Sequence, residues 1–303
     1  MKQLSALVRD FNARFPSLPV MESEPLARHC SFRIGGPCAA MLFPSSAEEI
    51  SGIAELLRSV GEKPFLMGNG TNLLFPDEGL DRIVIRLGDG FSAVERTSAH
   101  TLSAECGVTL SRLASRAASL GLAGLEFAHG IPGTLGGAVS MNAGAYGGEM
   151  RDVIRRVTYL DAALVLRETE NAGLSYRHSR FSDTEDIILS ADVVLSDDDP
   201  AVIQERMRVL MEKRRASQPL DMPSAGSTFK RPVGGYAAAL IDRAGLKGFS
   251  LGGAQVSEKH AGFVINRGGA TCLDVLRLME HIQSEVLRTS GIALEPEVRI
   301  ISD

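Results

Sequence analysis

Residues 130–148, Gly-Ile-Pro-Gly-Thr-Leu-Gly-Gly-Ala-Val-Ser-Met-Asn-Ala-Gly-Ala-Tyr-Gly-Gly, hold seven glycines in 19 positions and carry no charge. Glycine loses more backbone freedom on folding than any other residue, so a purely structural connection is rarely built this way. Two readings stay open. The segment is a glycine-rich turn between core elements, or it is a wall of main-chain groups for a large planar ligand and its pyrophosphate. A second cluster, Gly68-Asn69-Gly70-Thr71-Asn72, follows an apolar strand candidate. A strand running into Gly-x-Gly leaves backbone N–H groups free to converge on an anion. Gly70 allows close approach, and Thr71 and Asn72 add donors. Leu73 stands where a Rossmann loop has its third glycine, no helix signal follows, and the chain has no Gly-Lys-Ser/Thr. A tight turn and a phosphate cradle both remain open for this loop. Together the two loops imply a dinucleotide-like cofactor held without a Rossmann unit, and FAD fits that description.

A third segment, Pro223-Ser-Ala-Gly-Ser-Thr-Phe-Lys-Arg-Pro232, sets three hydroxyls and two cations beside a glycine. Hydroxyl donors next to Lys and Arg suit an anionic, hydrogen-bonded substrate. A turn with capping serines is the plainer reading. The Gly-x-Ser-x-Gly elbow is missing, which disfavours a serine hydrolase.

Composition narrows the class. The 303 residues are enough for two or three domains. Hydrophobic residues at 44% and charged residues at 23% exclude disorder, collagen and coiled coil. Glycine, at 31, exceeds the roughly 21 that average usage gives. The net charge of −5 is not that of a nucleic-acid binder. The only dense basic run, Lys213-Arg214-Arg215, reads as a solvated helix end or an anion contact. No apolar run is long enough to cross a membrane. The N-terminus lacks the apolar core of a signal peptide and reads as an amphipathic helix through Leu4, Leu7, Val8, Phe11 and Phe15. Cys30, Cys38, Cys106 and Cys272 lie far apart without CxxC, so free packing thiols are expected. Six scattered histidines give no metal spacing, and no metal is expected.

Periodicity supplies the elements. Ser46 and Glu49 form a capping box before Ile50, Ile53, Ala54 and Leu57, with Gly61 as the stop. Thr109 opens a helix ended by Gly121. Asp199-Pro200 opens another, with Ile203, Met207, Leu210 and Met211 inward. Thr271 and Asp274 open a fourth, ended near Gly291. Strands are predicted at 64–67, 82–87, 101–106, 153–160, 187–195, 261–266 and 294–301. Alternation without a fixed period favours mixed α+β domains, with a boundary at the turn-rich run 196–200.

In this order, Gly68-Asn-Gly-Thr-Asn-Leu-Leu74, Gly130-Ile-Pro-Gly-Thr-Leu-Gly-Gly137, Asn142-Ala-Gly-Ala-Tyr-Gly147, Tyr176-Arg177, Ala225-Gly-Ser-Thr-Phe-Lys230 and Glu295-Pro-Glu-Val-Arg299 resemble the UDP-N-acetylenolpyruvoylglucosamine reductase family. The resemblance runs from about Arg28 to Ile301. It implies an α+β fold: a PCMH/VAO-type FAD-binding region of two subdomains at 28–196, after a lead-in at 1–27, and a smaller substrate-binding domain at 197–303. The chain is similar to the shorter subtype, which lacks an inserted loop carrying a substrate-clamping tyrosine. The implied activity is that of an FAD oxidoreductase in peptidoglycan precursor synthesis. It takes hydride from NADPH and reduces the enolpyruvyl group of a UDP-sugar to give UDP-N-acetylmuramate. It is cytoplasmic, holds FAD without a covalent bond, and needs no nucleic acid, membrane insertion or obligate protein partner.

The resemblance also implies roles. Arg177 stabilises charge developing on the substrate carboxylate, Ser227 donates the proton, and Glu297 is the second acid/base group. Cofactor contacts fall on Gly68, Asn69, Gly70, Thr71, Asn72 and Leu73. They continue on Gly130, Ile131, Pro132, Gly133, Thr134, Gly136, Gly137 and Ala138, and on Asn142, Gly144 and Ala145. Tyr146, Tyr176, Arg214, Lys230 and Arg231 are expected at the substrate. A sugar or alcohol oxidase of the wider FAD superfamily, and a non-catalytic nucleotide-binding module, are the competing readings.

Overall fold

The computed structural model describes residues 2–302, with side chains from Leu7 onward, so the Leu4 side chain lies outside the described residues. The chain forms two compact units, each discontinuous in sequence. The first comprises residues 1–22, 40–69 and 82–213; the second comprises 23–39, 70–81 and 214–303.

The first unit opens with α1 (Lys2–Arg14), which buries Leu7, Val8 and Phe11. They join one core with Ile50, Ile53, Ala54 and Leu57 of α2 (Ala47–Ser59). Half of the expected α2 capping box forms: Glu49 N–H donates to Ser46 Oγ at 3.1 Å, while the Glu49 carboxylate accepts from Ser45 N–H at 2.6 Å instead of from Ser46 N–H. Gly52 on α2 lets the Phe15 ring lie against the helix, where a Cβ would collide with it. Beside these helices runs a four-stranded sheet in the order Val20–Glu22, Cys38–Leu42, Leu80–Arg86, Phe65–Met67. The last pair is parallel, Phe65 opposite Val84.

The larger sheet of this unit has five strands in the order Leu166–Thr169, Ile154–Leu160, Ile187–Val194, Thr101–Glu105, Val94–Arg96, all antiparallel. One face is apolar, with Val157, Tyr159, Ala191 and Val193 buried. The polar face is laced by charge: Arg156 bridges Asp192 on one neighbour and Glu168 on the other. The amphipathic α3 (Leu110–Ser119) and the short α4 (Leu135–Ser140) contribute Leu110, Leu113, Leu135 and Val139 to the same core. The last helix of the unit, α5 (Pro200–Ser217), buries Ile203 and Met207.

The second unit packs α7 (Cys272–Ser290) against a three-stranded antiparallel sheet of Ser250–Leu251, Ala254–Val256 and Val264–Asn266, with α6 (Ala237–Arg243) against α7. Thr271 and Asp274 form the expected capping box on α7, and Gly291 at φ +70° closes it. The Asp274 carboxylate also accepts from Gly253 N–H at 3.1 Å, tying the hairpin of the sheet to α7. Main-chain N–H groups of Thr271 and Gly253, at the charged end of this short side chain, hold its pKa below the ordinary value of 3.8.

Three expectations change. The run 294–301 is a strand only at Arg299–Ile300, which pairs in parallel with Leu73–Leu74. Pro296, lacking an N–H, leaves only an isolated bridge to Phe229. The strand at 261–266 shortens to Val264–Asn266, because 260–263 form a turn closed by Phe263 N–H on His260 O. On α5, Leu210 and Met211 are half-buried rather than inward. The compact units are not contiguous in sequence: segments 23–39 and 70–81 pack with 214–303, and α5 stays with the first unit through Lys213.

Candidate active site

In the first unit Gly68 and Asn69, the start of one glycine cluster, meet the other. A Cβ on Gly68 would overlap the Thr134 hydroxyl, and Asn69 Nδ2 donates to Pro132 O at 3.3 Å. Gly136 packs on Cys106, whose thiol burial pushes up strongly. The 130–148 segment is not one irregular loop. It contains the buried Thr134 as N-cap residue, then α4, then a hairpin of Gly144–Ala145 with Gly148–Glu149. The two-residue turn of that hairpin places Tyr146 at φ +54° and Gly147 at φ +88°. Both central residues in the left-handed region is the pattern of a type I′ turn, where Asn-Gly is usual and tyrosine is strained.

Tyr176 and Arg177 form the corner of another tight turn, closed by His178 N–H on Ser175 O at 3.1 Å. Arg177 sits at φ +54°, and its guanidinium lies 5.4 Å from the Tyr176 ring centroid. Tyr176 and Tyr146 are both exposed.

In the second unit the segment bearing Ser227 lies between two partners. On one side Thr228 N–H donates to Gly262 O, and Val264 N–H donates to Thr228 Oγ1 at 3.0 Å. On the other, Glu297 N–H donates to Thr228 O at 2.8 Å and Lys230 N–H to Glu295 O at 2.8 Å. Ser227, Lys230 and Glu297 thereby share one neighbourhood. Asn72 joins it, its Nδ2 donating to Glu297 O at 3.0 Å and its own carbonyl accepting from Arg299 N–H. Gly226, at φ +77° with open space around it, turns the chain before Ser227. Lys230 pairs with Glu295 in a largely exposed contact, and Arg231 stacks on Tyr236 with its guanidinium 4.1 Å from the ring centroid. Arg214 is half-buried on α5, within the second unit.

The glycine-lined surface of the first unit suits a dinucleotide. Gly137 lies inside α4, yet beyond its own helix a Cβ would meet only Thr134 Oγ1, at 3.7 Å. A helical glycine costs about 1 kcal/mol against alanine, so a position with room for a side chain and none present points to a ligand's approach. Next to Gly130, the Nδ1 atom of His129 is buried without a protein partner. The N–H of Asn69 donates no hydrogen bond among the described residues. Small residues, an unspent ring nitrogen and a free amide are the donor set a flavin and its diphosphate would meet. Among the described residues no group of His, Cys, Asp and Glu could hold a metal ion. All four cysteines are free and buried, as expected.

Residues 38–164 match a family profile described as an FAD binding domain. The solved structure of an alkyldihydroxyacetonephosphate synthase shares the fold over 64% of this chain and 40% of its own, at 17% identity and a TM-score of 0.50. Fold and glycine-lined surface thus define an FAD-dependent oxidoreductase of PCMH-type α+β architecture. Residues 218–301 match the profile of the UDP-N-acetylenolpyruvoylglucosamine reductase C-terminal domain. The reductase of that name from Caldanaerobacter subterraneus subsp. tengcongensis is 46% identical over 284 residues, 93% of each chain. The one from Heliobacterium modesticaldum is 42% identical over 99% of this chain and 95% of its own. The crystal structure of the Thermus caldophilus reductase superposes with a TM-score of 0.80 at 32% identity, covering 94% of this chain and 99% of that one. The chain belongs to the UDP-N-acetylenolpyruvoylglucosamine reductase family.

Sequence reasoning missed the residues that hold the site without an evident role in it. Ser140, Glu149, Ser179 and Ser182 hydrogen-bond around the Tyr176–Arg177 turn. Their partners lie up to 42 residues away, a separation at which no local pattern signals a contact.

Proposed function

We propose that the chain reduces the enolpyruvyl ether of UDP-N-acetyl-3-O-(1-carboxyvinyl)-glucosamine to the lactyl ether, with NADPH as hydride donor, yielding UDP-N-acetylmuramate for peptidoglycan synthesis. The observation that carries this reading is the direct backbone bonding of the Ser227 segment to the Glu297 segment, Glu297 N–H to Thr228 O at 2.8 Å. FAD, when bound, supplies the hydride relay between NADPH and the vinyl carbon. The protein's own groups manage charge and protons. Hydride arriving at the terminal carbon leaves negative charge on its neighbour, delocalised into the carboxylate. Arg177, a permanently charged planar fork, stabilises that charge. Ser227 delivers the proton that completes the reduced lactyl ether. Glu297, carrying a proton, donates a hydrogen bond to the carboxylate.

In this reading residues 68–73, 130–134 and 136–138, with Gly144 and Ala145, hold FAD non-covalently within 28–196. Tyr146, Tyr176, Arg214, Lys230 and Arg231 meet the sugar nucleotide, with 197–303 as the substrate-binding domain. Lys230 exchanges Glu295 for the diphosphate at little cost, because exposed ion pairs contribute 1 kcal/mol or less, to order of magnitude. The reading places the reaction in the cytoplasm, where its dissolved nucleotide precursors are, with no obligate protein partner. No helix among the described residues is long and apolar enough to cross a membrane.

The test separates the two half-reactions. Anaerobically, NADPH bleaches the flavin, and the enolpyruvyl nucleotide restores its colour. Ser227→Ala keeps the first step and loses the second. Fast oxygen-driven turnover of an alcohol, with no response to the nucleotide, would assign the chain to a different reaction.

A further inference from the structure

We infer that Asn142 is a positioning residue for Arg177 and not a cofactor contact; this rests on the role given to Arg177 above. The Asn142 side chain is completely buried. Its Nδ2 group donates to Ser175 O at 2.9 Å and to Glu149 Oε2 at 3.0 Å, and its Oδ1 accepts from Arg151 N–H at 2.9 Å. A carboxamide has two N–H donors, and both are spent inside the protein. Nothing is left on that nitrogen for a flavin.

Its target shows what the amide does. Ser175 O closes the Tyr176–Arg177 turn by accepting from His178 N–H, and Ser175 N–H donates back to His178 O at 2.9 Å. Asn142 takes the second lone pair of that same carbonyl. The corner residue Arg177 adopts φ +54°, a conformation that costs a non-glycine residue of order 1–3 kcal/mol and persists only where its surroundings over-determine it. A second clamp holds the far side of the turn. The hydroxyls of Ser179 and Ser182 both donate to Ser140 O at 2.7 Å. Ser140 ends α4 and Asn142 follows two residues later. The turn is therefore stitched at both ends to the segment just after α4, and the arginine inherits its aim from the glycine-rich segment. Asn142 itself sits at φ +45°, which asparagine tolerates better than most residues.

Asn142→Gly tests this, because glycine accepts the same backbone and only the amide is removed. Flavin content, visible spectrum and the rate of reduction by NADPH should stay within about twofold of the parent. Reoxidation by the enolpyruvyl nucleotide should fall about 100-fold, the loss expected when a catalytic group is misplaced by an ångström or so. In an Arg177→Lys background the same change should cost less than about twofold, the non-additivity of residues acting as one unit. A readout without turnover is the Nε–H NMR signal of Arg177, assigned by its loss in Arg177→Lys. This Nε atom is buried, so its proton exchanges slowly in the parent and should exchange faster in Asn142→Gly. Asn142→Asp, which turns a donor into an acceptor facing Glu149, should behave alike and covers a folding failure of the glycine variant. Lost flavin or slowed reduction with normal reoxidation would overturn the inference. So would additive losses, or unchanged exchange at Arg177. A parent enzyme that ignores the nucleotide would refute the reading of function instead, and the exchange measurement would still decide the role of Asn142.

Discussion

Asn142, Tyr146 and Arg177 are three of the non-glycine residues that adopt left-handed backbone, and all three lie in segments assigned to the chemistry. Strain of this kind is retained where function requires a particular side chain at a glycine's position. Arg177→Gly should therefore leave the free energy of unfolding unchanged to within about 1 kcal/mol, relief of strain offsetting the flexibility of glycine. Denaturant melts check that half of the prediction. Reoxidation by the nucleotide should meanwhile fall by about 100-fold or more. The cysteines behave in the opposite way, as inert packing. Burial pushes the thiols of Cys38 and Cys272 up to about 11, so less than about 1% is thiolate at pH 8. A disulfide reagent should find four thiols per chain in denaturant and none within minutes in the native protein.

Elements that carry their own punctuation were legible in the sequence. Ser46, Thr109 and Thr271 each accept the N–H three residues on, as their positions before apolar-periodic runs imply. Thr271→Ala should cost about 1 kcal/mol of stability by the usual value of a cap. Asp274 adds a pH dependence. Its carboxyl is held below the ordinary 3.8, so its contribution is complete above that value and is lost as pH falls through the folded pKa. The stability curves of the parent and Asp274→Asn, apart at pH 7, should converge as pH drops below about 3.8. The helix α4 was not legible, since three of its first four positions, Leu135-Gly136-Gly137-Ala138, are small and two are glycine. Gly137→Ala makes the two demands on that helix separable. The apo protein should gain up to about 1 kcal/mol from helix propensity while flavin affinity falls, which thermal melts and flavin titration read independently.

At the scale of the molecule, the glycine clusters announced a cofactor, but nothing in the sequence announced that 23–39 and 70–81 would pack with 214–303. Periodicity reports which face of an element is apolar, and nothing in it says that Leu73–Leu74 would pair with Arg299–Ile300, or that Asp77 would accept from Cys272 N–H at 2.8 Å. A fragment of residues 214–303 lacks both partners. It also lacks Phe32, whose carbonyl accepts from the buried Asn266 at 3.1 Å. Such a fragment should show no cooperative unfolding transition by circular dichroism, although it spans the whole matched C-terminal profile.

The polypeptide passes between its units after Glu22, Ala39, Asn69, Asp81 and Lys213. On a ribosome extending at roughly 5–20 residues per second, the stretches 23–39 and 70–81 emerge many seconds before the tail that completes them. During that interval Phe32, Leu74 and Phe75, all buried in the finished protein, have no destination. The order of birth along the chain thus exposes sticky early segments to a wait for the last third, and chaperone demand during synthesis should track the arrival of residue 214 onward more than the length already made.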